Sequence, residues 1–373
     1  MVNMRYPLWM EINRDRLRSN LTQLQSMGDE SGSRIMAVVK ADAYGHGIDT
    51  VVSLSEAGLR NFGVASVSEG EQLRKRGVKG DIYLLGGFFS DETESILRYC
   101  LTPVISSMEE LAQLNRYSTE LQNCTCFHLK IDTGMGRMGI LSNDTQEFLA
   151  RAKKLYPSLS LSGVMTHFSC AECYPDHTKK QYNAFVRLFP GTTDKGGIIR
   201  HCCNSAGFLL FPEMRLDMAR IGIALYGVSP TGDPTLTRGC GLRPVMSLKA
   251  RVKFVKNLPE CFPLGYGATY VTSCPSRIAV LPVGYSQGIF RSLSNRMDVL
   301  IRGRRARVVG AISMDQMMID VTGIPGVEKS DEVLLIGESG NDEITVEELA
   351  SLSGTIPHEI LCSLVRVKNK VFI

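Results

Sequence analysis

The stretch "IMAVVKADAYGHG" (residues 35–47) runs apolar residues into a lysine and then into a turn-rich, aromatic, glycine-punctuated segment. A short continuous apolar run bounded by turn residues is the pattern of a strand buried on both faces, as in a parallel sheet. The same pattern recurs at 62–65 (FGVA), 82–85 (IYLL), 102–105 (TPVI), 127–131 (FHLKI), 161–166 (LSGVMT), 198–202 (IIRHC) and 216–220 (LDMAR). An opening helix is expected near 14–27, and segments of helical period lie between the runs, among them "SEGEQLRKRG", "DETESILRY", "SMEELAQLNRY" and "TKKQYNAFVRLF". Several open on Ser, Asp or Thr in N-cap positions. Strands alternating with helices in this way predict a (β/α)8 TIM-type barrel. A doubly wound sheet would want G-x-G-x-x-G after the first strand, and none is there.

From about 240 onward the pattern changes to alternating, Val- and Ile-rich runs such as "VMSLKARVKFVKNL", "SRIAVLPVGY" and "DEVLLIG", separated by turns such as "RGRR" and "GESGND". That composition predicts antiparallel strands. The expected fold class is therefore α/β: a barrel over 1–240, whose first ten or so residues pair with the second domain, then a mainly antiparallel β domain over 241–373.

With 373 residues the chain exceeds one small core, and 44% apolar with 21% charged residues describes an ordinary globular protein. The net charge of +4 is made of interspersed signs, without the basic block of a nucleic-acid or membrane surface. No window approaches the roughly 18 continuous apolar residues needed to span a bilayer. The start lacks the apolar core of a signal peptide. The expectation is a cytoplasmic protein acting on a small molecule, with no nucleic-acid partner and no membrane segment. The 11 cysteines are odd in number and irregularly spaced, so free thiols are expected. Cys170 and Cys173 form a C-x-x-C near His167 and His177, but no second pair follows at zinc-site spacing, and no metal site is expected.

Chemistry on a barrel gathers at the C-terminal ends of its strands. Lys40 ends the first run, with Tyr44 in the following loop; Arg137 lies in "DTGMGRMG" after the fifth; His167 ends the sixth. Asn204 and Ser205 follow the seventh, and Arg220 ends the eighth, just ahead of Gly222 and Ile223. Each has an ordinary reading alone. A lysine after a strand is usually a solvated cation, a lone histidine a hydrogen-bonded core residue, and "DTG" an aspartic-protease motif only where a second copy exists. Together, a lysine, an arginine and a hydroxyl with approachable backbone N–H groups suit a phosphorylated aldehyde held by Lys40 as a Schiff base.

"AVVKADAYGHG", "KIDTGMGRMG", "GVMTHF", "NSAG", "ARIGIALYG", "GYGATY" and "SMDQMMIDV" stand in the order and approximate spacing of the bacterial alanine racemases, which the chain resembles over essentially its whole length. The resemblance implies a pyridoxal 5'-phosphate enzyme, an isomerase of a small amino acid in D-alanine biosynthesis, and a homodimer with shared active sites. By this similarity Lys40 carries the cofactor. Tyr44, Ser205, Gly222 and Ile223 hold its phosphate with Asn204 beside them, and Arg220, supported by His167, faces its ring nitrogen. Arg137, Met314, Asp315, Tyr285 and His358 surround the substrate. Lys130 matches a lysine that is carbamylated in some relatives.

Racemisation removes a proton from one face of Cα and returns one to the other, which is simplest with two opposed bases. Lys40 can serve one face, and Tyr266 in "GYGATY" matches the family's base for the other. A free phenol titrates near 10, so a phenolate base near neutrality needs positive charge beside it. An arginine opposite the ring nitrogen does not protonate it, which weakens the ring as an electron sink and disfavours transamination.

Three departures from the family pattern stand out. Ser313 replaces a cysteine in "SMDQ", "GYSQG" (284–288) has lost an aspartate, and His358 in "TIPHE" replaces a tyrosine. A smaller, polar imidazole leaves room for a side-chain hydroxyl, so a serine or broad-specificity racemase is the alternative to an alanine enzyme. Rivals of other kinds are a non-catalytic pyridoxal-phosphate carrier and a decarboxylase of the same architecture.

Overall fold

A computed structural model describes residues 6–120, 125–191 and 197–373 of the chain. Contacts divide it into two units. One is built from Arg18–Ala43 and Ile48–Leu225, the other from the residues up to Leu17, Tyr44–Gly47 and Tyr226–Ile373.

The first unit is the barrel. Its strands are β1 (Arg34–Val38), β2 (Asn61–Val64), β3 (Asp81–Leu84), β4 (Leu101–Ile105), β5 (Thr125–Asp132), β6 (Leu159–Met165), β7 (Ile199–His201) and β8 (Met218–Ile221). All pair in parallel, in the order β8-β1-β2-β3-β4-β5-β6-β7. The seam between β7 and β8 is closed by two backbone bonds, Asp217 N–H to the Arg200 carbonyl (3.2 Å) and Arg220 N–H to the Cys203 carbonyl (3.0 Å). Ile35, Met36, Ala37 and Val38 of β1 are all buried. A strand covered by helices outside and side chains inside has no solvent face to alternate toward.

Helices Val67–Lys75, Met108–Glu120, Thr145–Leu155 and Pro175–Leu188 occupy crossovers between strands. Val67–Lys75 starts with a complete capping box, Ser66 accepting the Glu69 N–H while the Glu69 carboxylate accepts the Ser66 N–H. The opening helix covers Arg14–Asp29.

The second unit is mainly antiparallel. Leu8–Ile12 pairs antiparallel with Met246–Arg251 and parallel with Lys370–Phe372. Glu332–Ser339 continues that sheet beside Met246–Arg251, followed by Asp298–Ile301 and Arg304–Arg307. A second sheet holds Phe254–Leu258, Ser276–Leu281 and Met317–Asp320. Two helices that the strand-rich reading leaves out, Val346–Ser353 and Pro357–Ser363, belong to this unit. The first is capped by Thr345 and ends on Gly354 in the left-handed region.

Candidate functional site

Lys40 does not end β1 as its apolar run suggests. The strand stops at Val38, Val39 N–H reaches the Gly63 carbonyl (2.8 Å), and the chain then turns left-handed. Ala41, Asp42 and Ala43 adopt φ of 54, 52 and 55°, and Tyr44 follows with 53°. Consecutive left-handed non-glycine residues cost on the order of 1–2 kcal/mol each, so contacts elsewhere must impose the turn. In the barrel, Ala43 N–H bonds the Val39 carbonyl (3.0 Å) and Ala41 N–H bonds Oε1 of Glu69 (2.8 Å). In the β unit, Tyr44 is buried against the rings of Tyr226 (5.4 Å between centroids) and His358 (6.0 Å), and His46 stacks on Tyr226 (4.2 Å). Burial, and secondarily the nearby Cys362, pushes the Tyr44 phenol up, so it remains a neutral donor. Gly45 has φ of 81°, and a Cβ there would lie 2.5 Å from the Leu361 carbonyl oxygen.

Arg220 on β8 is a buried cation, 3% exposed. Its guanidinium donates to the carbonyls of His201 (2.9 Å), Thr166 (2.8 Å) and Cys202 (3.0 Å). It also meets Nδ1 of His201 and Nδ1 of His167, each at 3.1 Å. An arginine has only donors, so both Nδ1 atoms accept and both imidazoles carry their proton on Nε2. His201 Nε2–H then donates to Nδ1 of His128 (2.8 Å). The chain Arg220–His201–His128 therefore has one direction. Burial holds all three imidazoles neutral, with Arg220 adding to it for His167 and His128 titrating only at about 3. Burial also lowers Arg220 to about 10, which leaves it a cation at neutral pH.

Lys130 on β5 is 4% exposed. Burial first, then the charges of Arg137 and Arg220, lower its ammonium to about 8. Arg137 is exposed, in a loop shaped by Asp132, whose Oδ1 accepts the N–H groups of Gly134 (2.9 Å), Met135 (2.9 Å) and Gly136 (3.2 Å). Burial opposes ionisation of Asp132, but those backbone bonds hold it below the usual carboxylate range. "DTG" thus forms a loop-shaping nest. His177 reaches the Gly134 carbonyl (3.2 Å) and stacks on Tyr174, and Cys170 lies beside the Ser169 hydroxyl (3.1 Å).

Ser205 Oγ, buried after β7, accepts the N–H groups of Gly222 (3.1 Å) and Ala224 (3.3 Å). Ile223 is buried between them. Asn204 caps the short helix Ser205–Leu210 through Oδ1, which accepts the Gly207 N–H (2.9 Å). In this small nest Oγ takes up both N–H groups, which leaves the hydroxyl's own O–H to donate to an anionic oxygen.

In the β unit, "GYSQG" and "SMDQ" form one structure. Tyr285 N–H bonds the Ser313 carbonyl (3.1 Å) and Ser286 N–H the Met314 carbonyl (2.9 Å). A Cβ on Gly284 would sit 2.1 Å from the Ser313 oxygen. Ser313 closes its own turn by donating to the Gln316 carbonyl (2.8 Å). Met314 and Asp315 project from that turn, exposed. Helix Pro357–Ser363, which carries half-buried His358, is tied to the same region by Ser363 Oγ donating to the Gly288 carbonyl (2.8 Å). Tyr266 stands on a tight turn between Gly265 (φ 69°) and Gly267 (φ 71°) and is 74% exposed.

The residues singled out in the sequence thus fall into two groups. The barrel brings together Lys130, Arg137, His167 and Arg220, with Lys40 and the Ser205 nest on its strand-end loops; the β unit holds Tyr44, Tyr266, Tyr285, Met314, Asp315 and His358. Sequence reasoning missed His128, His201, Gly163 and Glu69. The two histidines sit inside apolar strand runs, where a titratable residue is itself a signal. Glu69 follows Ser66 at capping-box spacing.

Comparison with known proteins agrees along the whole chain. Residues 12–230 match the family model described as alanine racemase, N-terminal domain, and residues 245–371 match the C-terminal domain. An alanine racemase of Halothermothrix orenii is 39% identical over 375 residues, covering 98% of each chain. A solved alanine racemase of Clostridium difficile superposes with a TM-score of 0.91 at 34% identity, covering 100% of this chain and 97% of that one. One from Bartonella henselae, with covalently bound pyridoxal phosphate, superposes with a TM-score of 0.86 at 28% identity, covering 99% and 100%. The serine, broad-specificity, carrier and decarboxylase readings find no support among these relatives. With both domains matched and more than a third of its residues identical to a full-length relative, the chain belongs to the alanine racemase family.

Proposed function

We propose that this chain is a pyridoxal 5'-phosphate-dependent isomerase that interconverts L- and D-alanine, working in the cytoplasm as a homodimer with shared active sites and supplying D-alanine for the cell wall. The observation that carries this reading is the buried Arg220 guanidinium, fixed by neutral histidines on the same barrel that presents Lys40 and the Ser205 nest. These residues suit the cofactor: a primary amine for its aldehyde, and a buried hydroxyl with an O–H to donate to its phosphate.

When bound, the cofactor supplies the electron sink that lets a proton leave Cα. In this reading Tyr44, Ser205, Gly222 and Ile223 hold the phosphate, with Asn204 shaping the loop beneath it. Arg220, oriented by His167, stays protonated and gives no proton to the ring nitrogen, which favours return of the proton to Cα over transamination. Lys40 handles the proton on one face and Tyr266 on the other. Arg137 takes the substrate carboxylate, and Met314, Asp315, Tyr285 and His358 bound the space around the side chain. A second copy is supported by Tyr266, Met314 and Ile356, large groups left exposed that an interface would cover.

The test is purified protein with pyridoxal phosphate and L-alanine in deuterated water. Formation of D-alanine carrying α-deuterium, lost in Lys40→Ala, is the expected result. Absence of D-alanine from protein whose Lys40 demonstrably carries the cofactor would overturn the proposal. Tyr266→Phe should lower kcat/KM by about 10²–10⁴ in both directions alike, because the two enantiomers have equal free energy and the group that removes a proton one way returns it the other.

A further inference from the structure

Lys40 sits where the chain leaves β1 and enters the left-handed turn, so the direction of its side chain depends on the peptide plane joining it to Ala41. That plane is held by a side chain in the first turn of the next helix, Val67–Lys75. Glu69 Oε1 accepts the Ala41 N–H at 2.8 Å. Oε2 accepts the N–H groups of Ala65 (2.7 Å) and Ser66 (3.3 Å). One carboxylate thus joins two adjacent loops, and these three donors, among the described residues, are all backbone N–H groups.

We infer that Glu69 is a positioning residue for Lys40, clamping the Lys40–Ala41 peptide so that the amine is presented in one orientation; this rests on the reading that Lys40 carries the cofactor. The arrangement requires a carboxylate. Both of its oxygens accept, whereas glutamine has one accepting oxygen and an NH2 that can only donate. Whichever way the amide is turned, its NH2 meets an N–H. The shorter path to Ala65 and Ser66 lies within the helix cap, so the oxygen stays there and Ala41 loses its partner. Ser66 supplies a control, because its hydroxyl serves the other half of the same cap by accepting the Glu69 N–H (3.3 Å).

The experiment uses the full chain with pyridoxal phosphate and compares wild type with Glu69→Gln, Glu69→Asp and Ser66→Ala. Cofactor capture is followed by borohydride trapping on Lys40 and peptide mass spectrometry, orientation by circular dichroism of the bound cofactor's visible band, and turnover as kcat and KM for alanine. Glu69→Gln is expected to slow capture and lower kcat by about tenfold to a hundredfold, with an altered visible band. KM for alanine should stay within about twofold, and Ser66→Ala should match wild type in every readout. Glu69→Asp, still an acceptor but a methylene too short to span both loops, should shift in the same direction and carries the test if the glutamine variant does not fold. Wild-type behaviour in both Glu69 variants, or equal defects in Ser66→Ala, would overturn the inference. A wild type that never attaches the cofactor to Lys40 would instead remove the functional reading on which it rests.

Discussion

Gly163 on β6 lacks a side chain because His128 occupies the space: a Cβ there would lie 2.4–2.5 Å from three atoms of the imidazole. Gly163→Ala should displace that ring from His201 and destabilise the barrel by about 1–3 kcal/mol, measurable by urea unfolding. The same ring gives the stability a pH dependence. An unfolded histidine takes a proton near 6.5, while folded His128 stays neutral down to about 3. Stability is therefore intact above pH 6.5 and falls as the pH drops from there toward 3, by about 1.4 kcal/mol per pH unit for each such histidine. His128→Gln should remove one proton's share of that slope between pH 6 and 4; an unchanged slope would show that His128 is not held neutral. Lys130 is open to a different test. Lowered to about 8, it has some free amine near neutrality, which can add to carbon dioxide, releasing a proton and placing a negative charge in the field of Arg137 and Arg220. Intact-mass measurement in bicarbonate should find one carbon dioxide added, and Lys130→Ala should abolish it.

Among the elements, the turn after β1 departs most from what its residues prefer. Ala41 and Ala43 have no intrinsic bias to positive φ and Asp42 only a weak one, so no local pattern announces a left-handed run. Ala41→Gly should raise the thermal midpoint, because glycine meets no Cβ penalty there. Contrast explains what was readable. The barrel strands were legible because burial on both faces leaves an uninterrupted apolar run, as in Ile35 to Val38. Helices Val346–Ser353 and Pro357–Ser363 carried ordinary signals, Thr345 with Glu348, Gly354 and Pro357, but lie in a segment whose neighbours all read as strands. The order of the runs was enough to expect Lys40, Arg220 and Ser205 at or just beyond strand ends. Glu69 and the histidine chain could not, because what matters about them is which atoms they meet across strands distant in sequence.

For the whole molecule, the proposed sharing of active sites between two copies makes a sharp prediction. Lys40→Ala and Tyr266→Phe homodimers are each expected to be nearly inactive. If each site takes Lys40 from one copy and Tyr266 from the other, a mixed dimer holds one intact site, and unfolding and refolding the two variants together should restore about a quarter of wild-type activity. No recovery, with mixed dimers demonstrated by mass, would place both bases in one copy. The directed chain from Arg220 to His128 also bears on proton traffic. Each acceptor nitrogen along it is already filled from the side of Arg220, and its head is a cation that would have to lose a proton at about 10 before anything could move. The barrel interior behind Arg220 is in this sense an insulator: the chain of His128 and His201 offers no proton relay toward Arg220.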